Sequence, residues 1–127
     1  MNKVKTPLGE AYALSGNIVK SITLVAQLND LEVVKEHVKA IREAFSDNNY
    51  YISDTRFVKH TSIEVRRYLA ANTRAKAVAI LAKSGPAVLL SNIFISFNRL
   101  PYPIKLFKEE ADAIAWLVEQ GAEAPKN

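Results

Sequence analysis

At 127 residues the chain has the size of one domain and can bury a core without covalent staples. Apolar residues at 49% and charged residues at 24% exclude global disorder. There is no cysteine, which excludes disulfide frameworks, thiolate zinc sites and thiol nucleophiles, and suits a reducing cytoplasm. The net charge of +4 is uneven: Arg56, Lys59, Arg66, Arg67, Arg74 and Lys76 face the single acid Glu64 within one stretch. Such a cluster attracts phosphate or an acidic partner, but its first reading is a solvated helix face. Nucleic-acid modules interleave stacking aromatics with their cations. Here Tyr68 stands nearly alone, so nucleic acid is not the expected partner.

Residues 1–9 read as a flexible arm, whose Met1–Pro7 start lacks the apolar run of a signal peptide. Two β-prone runs, Glu10–Ser15 and Ile18–Ala26, flank Gly16-Asn17, a dipeptide that suits a two-residue hairpin turn. Asn29-Asp30 with Glu32 gives a helix start, and Leu31, Val34, Val38, Ile41 and Phe45 recur at helical spacing. His37 falls beside that stripe, as a boundary residue with no second metal-binding group at i+3 or i+4. After the loop Ser46–Asn49, a short strand covers Tyr50–Asp54. Thr61-Ser62-Ile63-Glu64 is a capping box opening a second helix that ends near Asn72.

The run Ala77–Ala82 has no polar alternation, as expected of a parallel strand covered on both faces. Ser84-Gly85-Pro86 then punctuates, and a helix is predicted from Pro86 to about Asn98. Its apolar residues spread beyond the usual stripe, and Ala87–Phe97 is too short to span a bilayer. The expectation is a soluble, cytoplasmic protein with no transmembrane segment. A strand over Pro103–Phe107 precedes a last helix with Glu109 and Glu110 at its start. Ala111, Ile114, Leu117 and Val118 form its expected core stripe, with Trp116 pointing away from it. Gly121 ends it, leaving 122–127 as a tail. The predicted order is β-β-α-β-α-β-α-β-α. It implies one α/β domain over 10–121: an open sheet with an N-terminal antiparallel hairpin, then mostly parallel strands, and four helices.

The stretch from Tyr50 to Val118 resembles the STAS domain superfamily of bacterial anti-sigma-factor antagonists, and more closely a small group of uncharacterised bacterial STAS-like proteins. The resemblance is carried by Tyr51–Asp54, Thr61–Leu69, Ala77–Leu81, Asn92–Ile95 and, most specifically, Tyr102–Phe107 with Glu110-Ala111 and Ala115-Trp116-Leu117. It implies a β-α superhelical sheet and a non-catalytic module binding a protein partner or an apolar ligand, the architecture being similar to the lipid-binding CRAL-TRIO fold. In family antagonists, an Asp-Ser-Ser/Ala-Gly motif at the start of the second helix carries a phosphorylatable serine. The register puts Thr61 at the Asp position, Ser62 at the phosphoacceptor position and Glu64 at the glycine position. Two defining residues are thus missing, and Glu64 would repel a phosphate on Ser62 that Lys59 and Arg66 attract.

No Gly-rich phosphate loop occurs among the four glycines. The two histidines, His37 and His60, lie on different elements, so neither a metal nor a cofactor is expected. His60 and Ser62 diverge at a helix start and do not form a dyad. Ligands gather at the carboxyl ends of parallel strands, which makes Asp54, Thr61 and Ser84 a candidate site. Asp54, Ser84 and Lys108 together suggest a phosphoacceptor receiver, but Ala26-Gln27-Leu28 offers no acidic pair for magnesium. The expectation is therefore a non-enzymatic STAS-like regulatory or protein-interaction module, with homodimerisation as one form of contact. Its apolar surface is expected on the helix after Pro86 and the last helix, at Leu89, Ile93, Phe94, Phe97 and Trp116. The alternative is a lipid or apolar small-molecule binding protein with those helix residues lining a pocket.

Overall fold

The computed structural model describes residues 3–45, 49–83 and 102–125. Six strands form the main sheet in the order β1-β2-β3-β5-β7-β8, from β1 (Lys3–Thr6), β2 (Gly9–Ala13), β3 (Ile18–Thr23), β5 (Asn49–Asp54), β7 (Ala75–Leu81) and β8 (Ile104–Phe107). The first three are antiparallel neighbours, and β3, β5, β7 and β8 run parallel. Two short strands, β4 (Gln27–Leu28) and β6 (His60–Thr61), pair beside the sheet.

Three helices lie among the described residues: α1 (Leu31–Phe45), α2 (Ile63–Asn72) and α3 (Glu110–Glu119). The fourth expected helix, from Pro86, falls in 84–101, outside the described residues. Among the described residues no helix is long and apolar enough to cross a membrane.

Register divides the sheet into two faces. Ile18, Tyr50 and Ala77 stand side by side across β3, β5 and β7, as do Lys20, Ile52 and Ala79, then Ile22, Asp54, Leu81 and Phe107. This face packs on α3, where Ile18, Ile52, Leu81, Ala113 and Leu117 are buried in one cluster. The opposite face carries Val19, Tyr51, Val78 and Ile104, then Ser21, Ser53, Ile80 and Leu106. Val34, Val65 and Leu28 form a second cluster between α1 and α2, while Ile41 joins Ala11 and Val19 in a third.

Four expectations are corrected. Residues 3–9 are not a flexible arm: β1 pairs with β2, and Leu8 is buried against Leu28 and Val34. An apolar residue at position 8 gives the segment a place in the core that its polar neighbours conceal. The β2–β3 connection is longer than two residues, because Ser15 Oγ accepts the Ile18 N–H (3.2 Å) and the Leu14 N–H reaches the Ile18 carbonyl (2.8 Å). A serine side chain thus builds a turn that Gly16-Asn17 alone does not dictate. The tail begins docked, with Ala122 buried and the Glu123 N–H donating to Asn17 Oδ1 at 2.8 Å.

The fourth concerns the last helix. The inner face of α3 carries Ala113 and Leu117, while Ala111 and Val118 are exposed. Glu110, three residues before Ala113, turns inward to form an ion pair with the buried Lys20 of β3. Beside this contact Ala113 and Leu117 are buried, and Ile114 and Trp116 pack against the same core cluster. Trp116 therefore does not point away: it is half-buried, packs on the core cluster, and meets the Phe107 ring at 5.6 Å between centroids.

Candidate functional site

At the carboxyl end of β5, Asp54 is buried, and its carboxylate accepts three hydrogen bonds from one residue. The Arg56 backbone N–H and Nε donate to Oδ1 at 3.1 and 2.9 Å, and Nη2 donates to Oδ2 at 2.6 Å. Burial pushes the Asp54 carboxyl up, but the Arg56 hydrogen bonds and the charges of Arg56 and Lys20 outweigh it and hold the group below its ordinary value. Asp54 is thus an ionised, turn-closing carboxylate with its acceptors occupied. Thr61 pairs with Leu28 through β4–β6, and Ser84 lies outside the described residues. Lys108, grouped with Asp54 and Ser84 in the receiver comparison, follows β8 and is exposed.

The start of α2 is built by Ser62. Its Oγ accepts the Val65 N–H at 3.2 Å, and its own N–H donates to the Leu28 carbonyl at 3.0 Å. Beside it lies a small pocket of about 250 Å³ lined by Thr55, Val58, Lys59, His60, Thr61 and Arg66. Three large apolar side chains at this end of the molecule are left in solvent: Leu24 (53% exposed), Phe57 (58%) and Ile63 (65%). Of the apolar residues singled out in the sequence, Trp116 is half-buried, and Leu89, Ile93, Phe94 and Phe97 lie outside the described residues.

The sheet face opposite α3 forms, with α1 and α2, the floor and walls of a groove of about 820 Å³. Val38, Ile41, Leu69, Val78 and Ile80 are among its apolar lining, and its charged members, Arg42, Arg66 and Arg74, are all cationic. Residues 84–101 link the ends of β7 and β8 that border it, so this outline is the one given by the described residues.

One group here was misread from the sequence. His37 is buried, and both ring nitrogens are engaged: Nδ1 lies 2.6 Å from Thr6 Oγ1, and Nε2 lies 3.1 Å from Ser21 Oγ. Its spacing from Val34 and Ile41, at i−3 and i+4, was the signal that placed it inside. Burial lowers its proton affinity and keeps it neutral. A Ser–His pair beside a groove invites comparison with a nucleophile and its base. Thr6 Oγ1 already accepts the Leu8 N–H at 3.2 Å, and the 2.6 Å contact is short for N–H···O but ordinary for a donated hydroxyl. The assignment that follows has Thr6 donating to Nδ1 and Nε2–H donating to Ser21. In that tautomer Nε2 has no lone pair with which to take the Ser21 proton. Among the described residues no group of three His, Cys, Asp or Glu could hold a metal ion.

A family model for a domain of unknown function, DUF7793, matches residues 12–120. The chain belongs to the DUF7793 family. No curated protein matches it. Among solved structures it is similar to an uncharacterized protein of the DUF3478 family with a SpoIIAA-like fold, from Shewanella loihica PV-4. The two share 15% identity and superpose with a TM-score of 0.60, over 91% of this chain and 90% of that one. At that identity the likeness establishes the fold: this member of the DUF7793 family has a mixed α/β, mostly parallel, SpoIIAA-like sheet.

Proposed function

We propose that this chain is a non-enzymatic STAS-like regulatory module that acts by contact with a protein partner in the cytoplasm. The observation that carries this reading is the exposure of Leu24, Phe57 and Ile63 at the carboxyl end of a SpoIIAA-like sheet, around the capped start of α2. Scattered apolar exposure is ordinary, but a gathering of large side chains at one end marks a contact surface. The last helix contributes less than its sequence suggested, since Val118 (38% exposed) is its one large apolar residue in solvent among the described residues. Self-association is one form such contact takes. Ser62 is proposed as a phosphoacceptor that adjusts it: a phosphate there would sit over the first turn of α2, drawn by Lys59 and Arg66 and opposed by Glu64.

The test is affinity capture from native cells with wild-type chain and with Phe57→Ser/Ile63→Ser. A partner retained by the first and lost by the second supports the reading. Equal recovery by both would move the contact elsewhere, and light scattering separates a captured partner from a homodimer.

A second reading is favoured by the groove: a carrier of an apolar ligand, held between α1, α2 and the sheet. Native mass spectrometry of protein purified from its own cells tests it. A co-purifying apolar molecule displaced by Ile80→Trp supports a carrier, and a bare chain mass refutes it.

A further inference from the structure

We infer that the partner met at the carboxyl end of the sheet presents an acidic segment flanked by apolar side chains, with a carboxylate entering the small pocket beside α2. This rests on the contact reading above and adds the chemistry of the opposite surface.

Two loops build the face. The Ala26 carbonyl accepts both the Lys59 N–H (2.8 Å) and the His60 N–H (3.1 Å), and Gln27 and Leu28 then pair with His60 and Thr61. The Val58 N–H closes a turn onto the Thr55 carbonyl at 3.0 Å, leaving Arg56 and Phe57 at its tip. Leu24, Phe57 and Ile63 thus belong to two segments held side by side and to the helix they lead into.

The charge on this face is not neutralised from within. Arg56 is committed to Asp54. Lys59, Arg66 and Arg67 are exposed, and among the described residues none of them forms an ion pair. Arg66 and Arg67 follow Ile63 at i+3 and i+4, so they share its side of α2. Among the described residues the pocket of about 250 Å³ takes Lys59, His60 and Arg66 into its wall and no acid; Asp54, next to Thr55 of that wall, is paired with Arg56, and Glu64 lies in the first turn of α2.

An acceptor-only, negatively charged group is complementary to such a wall. The apolar side chains beside it ask for more than a free anion, because an inorganic phosphate leaves Phe57 and Ile63 in water. A bilayer offers both charge and apolar matter, but as a flat sheet, whereas these cations are gathered about a concavity. An acidic protein segment satisfies all three features together.

Random dodecapeptides displayed on phage and panned on the full chain provide the test, with the best binder then synthesised. The expected result is enrichment of Asp or Glu next to Leu, Phe or Trp. The synthetic peptide should bind at least tenfold more weakly to Lys59→Glu/Arg66→Glu, and by an intermediate amount to Lys59→Gln/Arg66→Gln, all with wild-type circular dichroism. Enriched peptides without acids, or binding unmoved by charge reversal, would overturn the inference and leave the contact reading standing. Co-sedimentation with vesicles containing 30% phosphatidylserine, abolished by charge reversal and without acidic peptide enrichment, would replace the protein partner with a membrane. No enrichment on any surface would overturn the contact reading itself and this inference with it.

Discussion

Replacing His37 with leucine removes a side chain that joins β1, α1 and β3 through polar contacts. Thr6 Oγ1 keeps the Leu8 N–H (3.2 Å) but loses the acceptor at 2.6 Å, and Ser21 Oγ, buried in β3, loses its donor. A buried polar group left unsatisfied costs about 1–3 kcal/mol, so the two together should cost about 2–6 kcal/mol at neutral pH. The variant should also change the pH response. A free imidazole titrates near about 6.5, and burial depresses His37 below that. The unfolded chain therefore binds the proton first as pH falls. The stability this group contributes is present above the unfolded value and lost as pH drops toward the folded one. Among the described residues no acid lines the groove to rescue the imidazolium, and the groups within hydrogen-bond distance of the ring are the hydroxyls of Thr6 and Ser21. For an imidazole that burial holds neutral in the fold, stability falls as pH drops from about 7.5 to about 5.5. Urea unfolding of wild type and His37→Leu at both pH values measures this. Wild type should lose more stability over that interval than the variant. Equal losses would show that His37 is not held neutral by the fold, and the Thr6–His37–Ser21 account would fail.

Leu117→Ala opens a hole at a fully buried position between α3 and the sheet and should cost about 2–5 kcal/mol in thermal unfolding. Arg56→Ala strips two side-chain hydrogen bonds from a buried carboxylate and should destabilise by about 1–3 kcal/mol. Because the Asp54 carboxyl is held below its ordinary value, that penalty should shrink as pH falls through its ionisation, and Asp54→Asn in the same chain should recover part of it at neutral pH. Gly121 has φ +114°, and a Cβ there would sit 2.7 Å from the Tyr50 hydroxyl. Gly121→Ala should therefore cost more than about 1 kcal/mol, read by chemical denaturation.

Alternation and helical spacing made most of the sheet legible: β5, β7 and β8 stand within a residue or two of their expected bounds, as do α1 and α2. The misreadings of the N-terminal arm and of the last helix share one cause. Val4, Thr6 and Leu8 are too few apolar signals in a short edge strand to distinguish it from an arm, since its stability comes from β2 and from Leu8 packing at a distance. Likewise Glu110 reads as a helix-start acid until Lys20, ninety residues earlier in the chain, is seen beneath it. The Lys20–Glu110 ion pair joins the first turn of α3 to β3, and no local pattern encodes a contact of that range. At the candidate site, Ser62 and Asp54 were legible as cap and strand-end residues. Exposure of Leu24, Phe57 and Ile63 was not, because an apolar residue carries the same letter inside and out.

The contact reading is tested most directly by placing a photo-crosslinking amino acid at position 63, and separately at position 118, in the chain expressed in its own cells. The account predicts a discrete protein adduct from position 63, diminished by Lys59→Glu/Arg66→Glu, and none of comparable yield from position 118. Adducts from position 118 alone would put the working surface on α3, and their absence from position 63 would contradict the function proposed here.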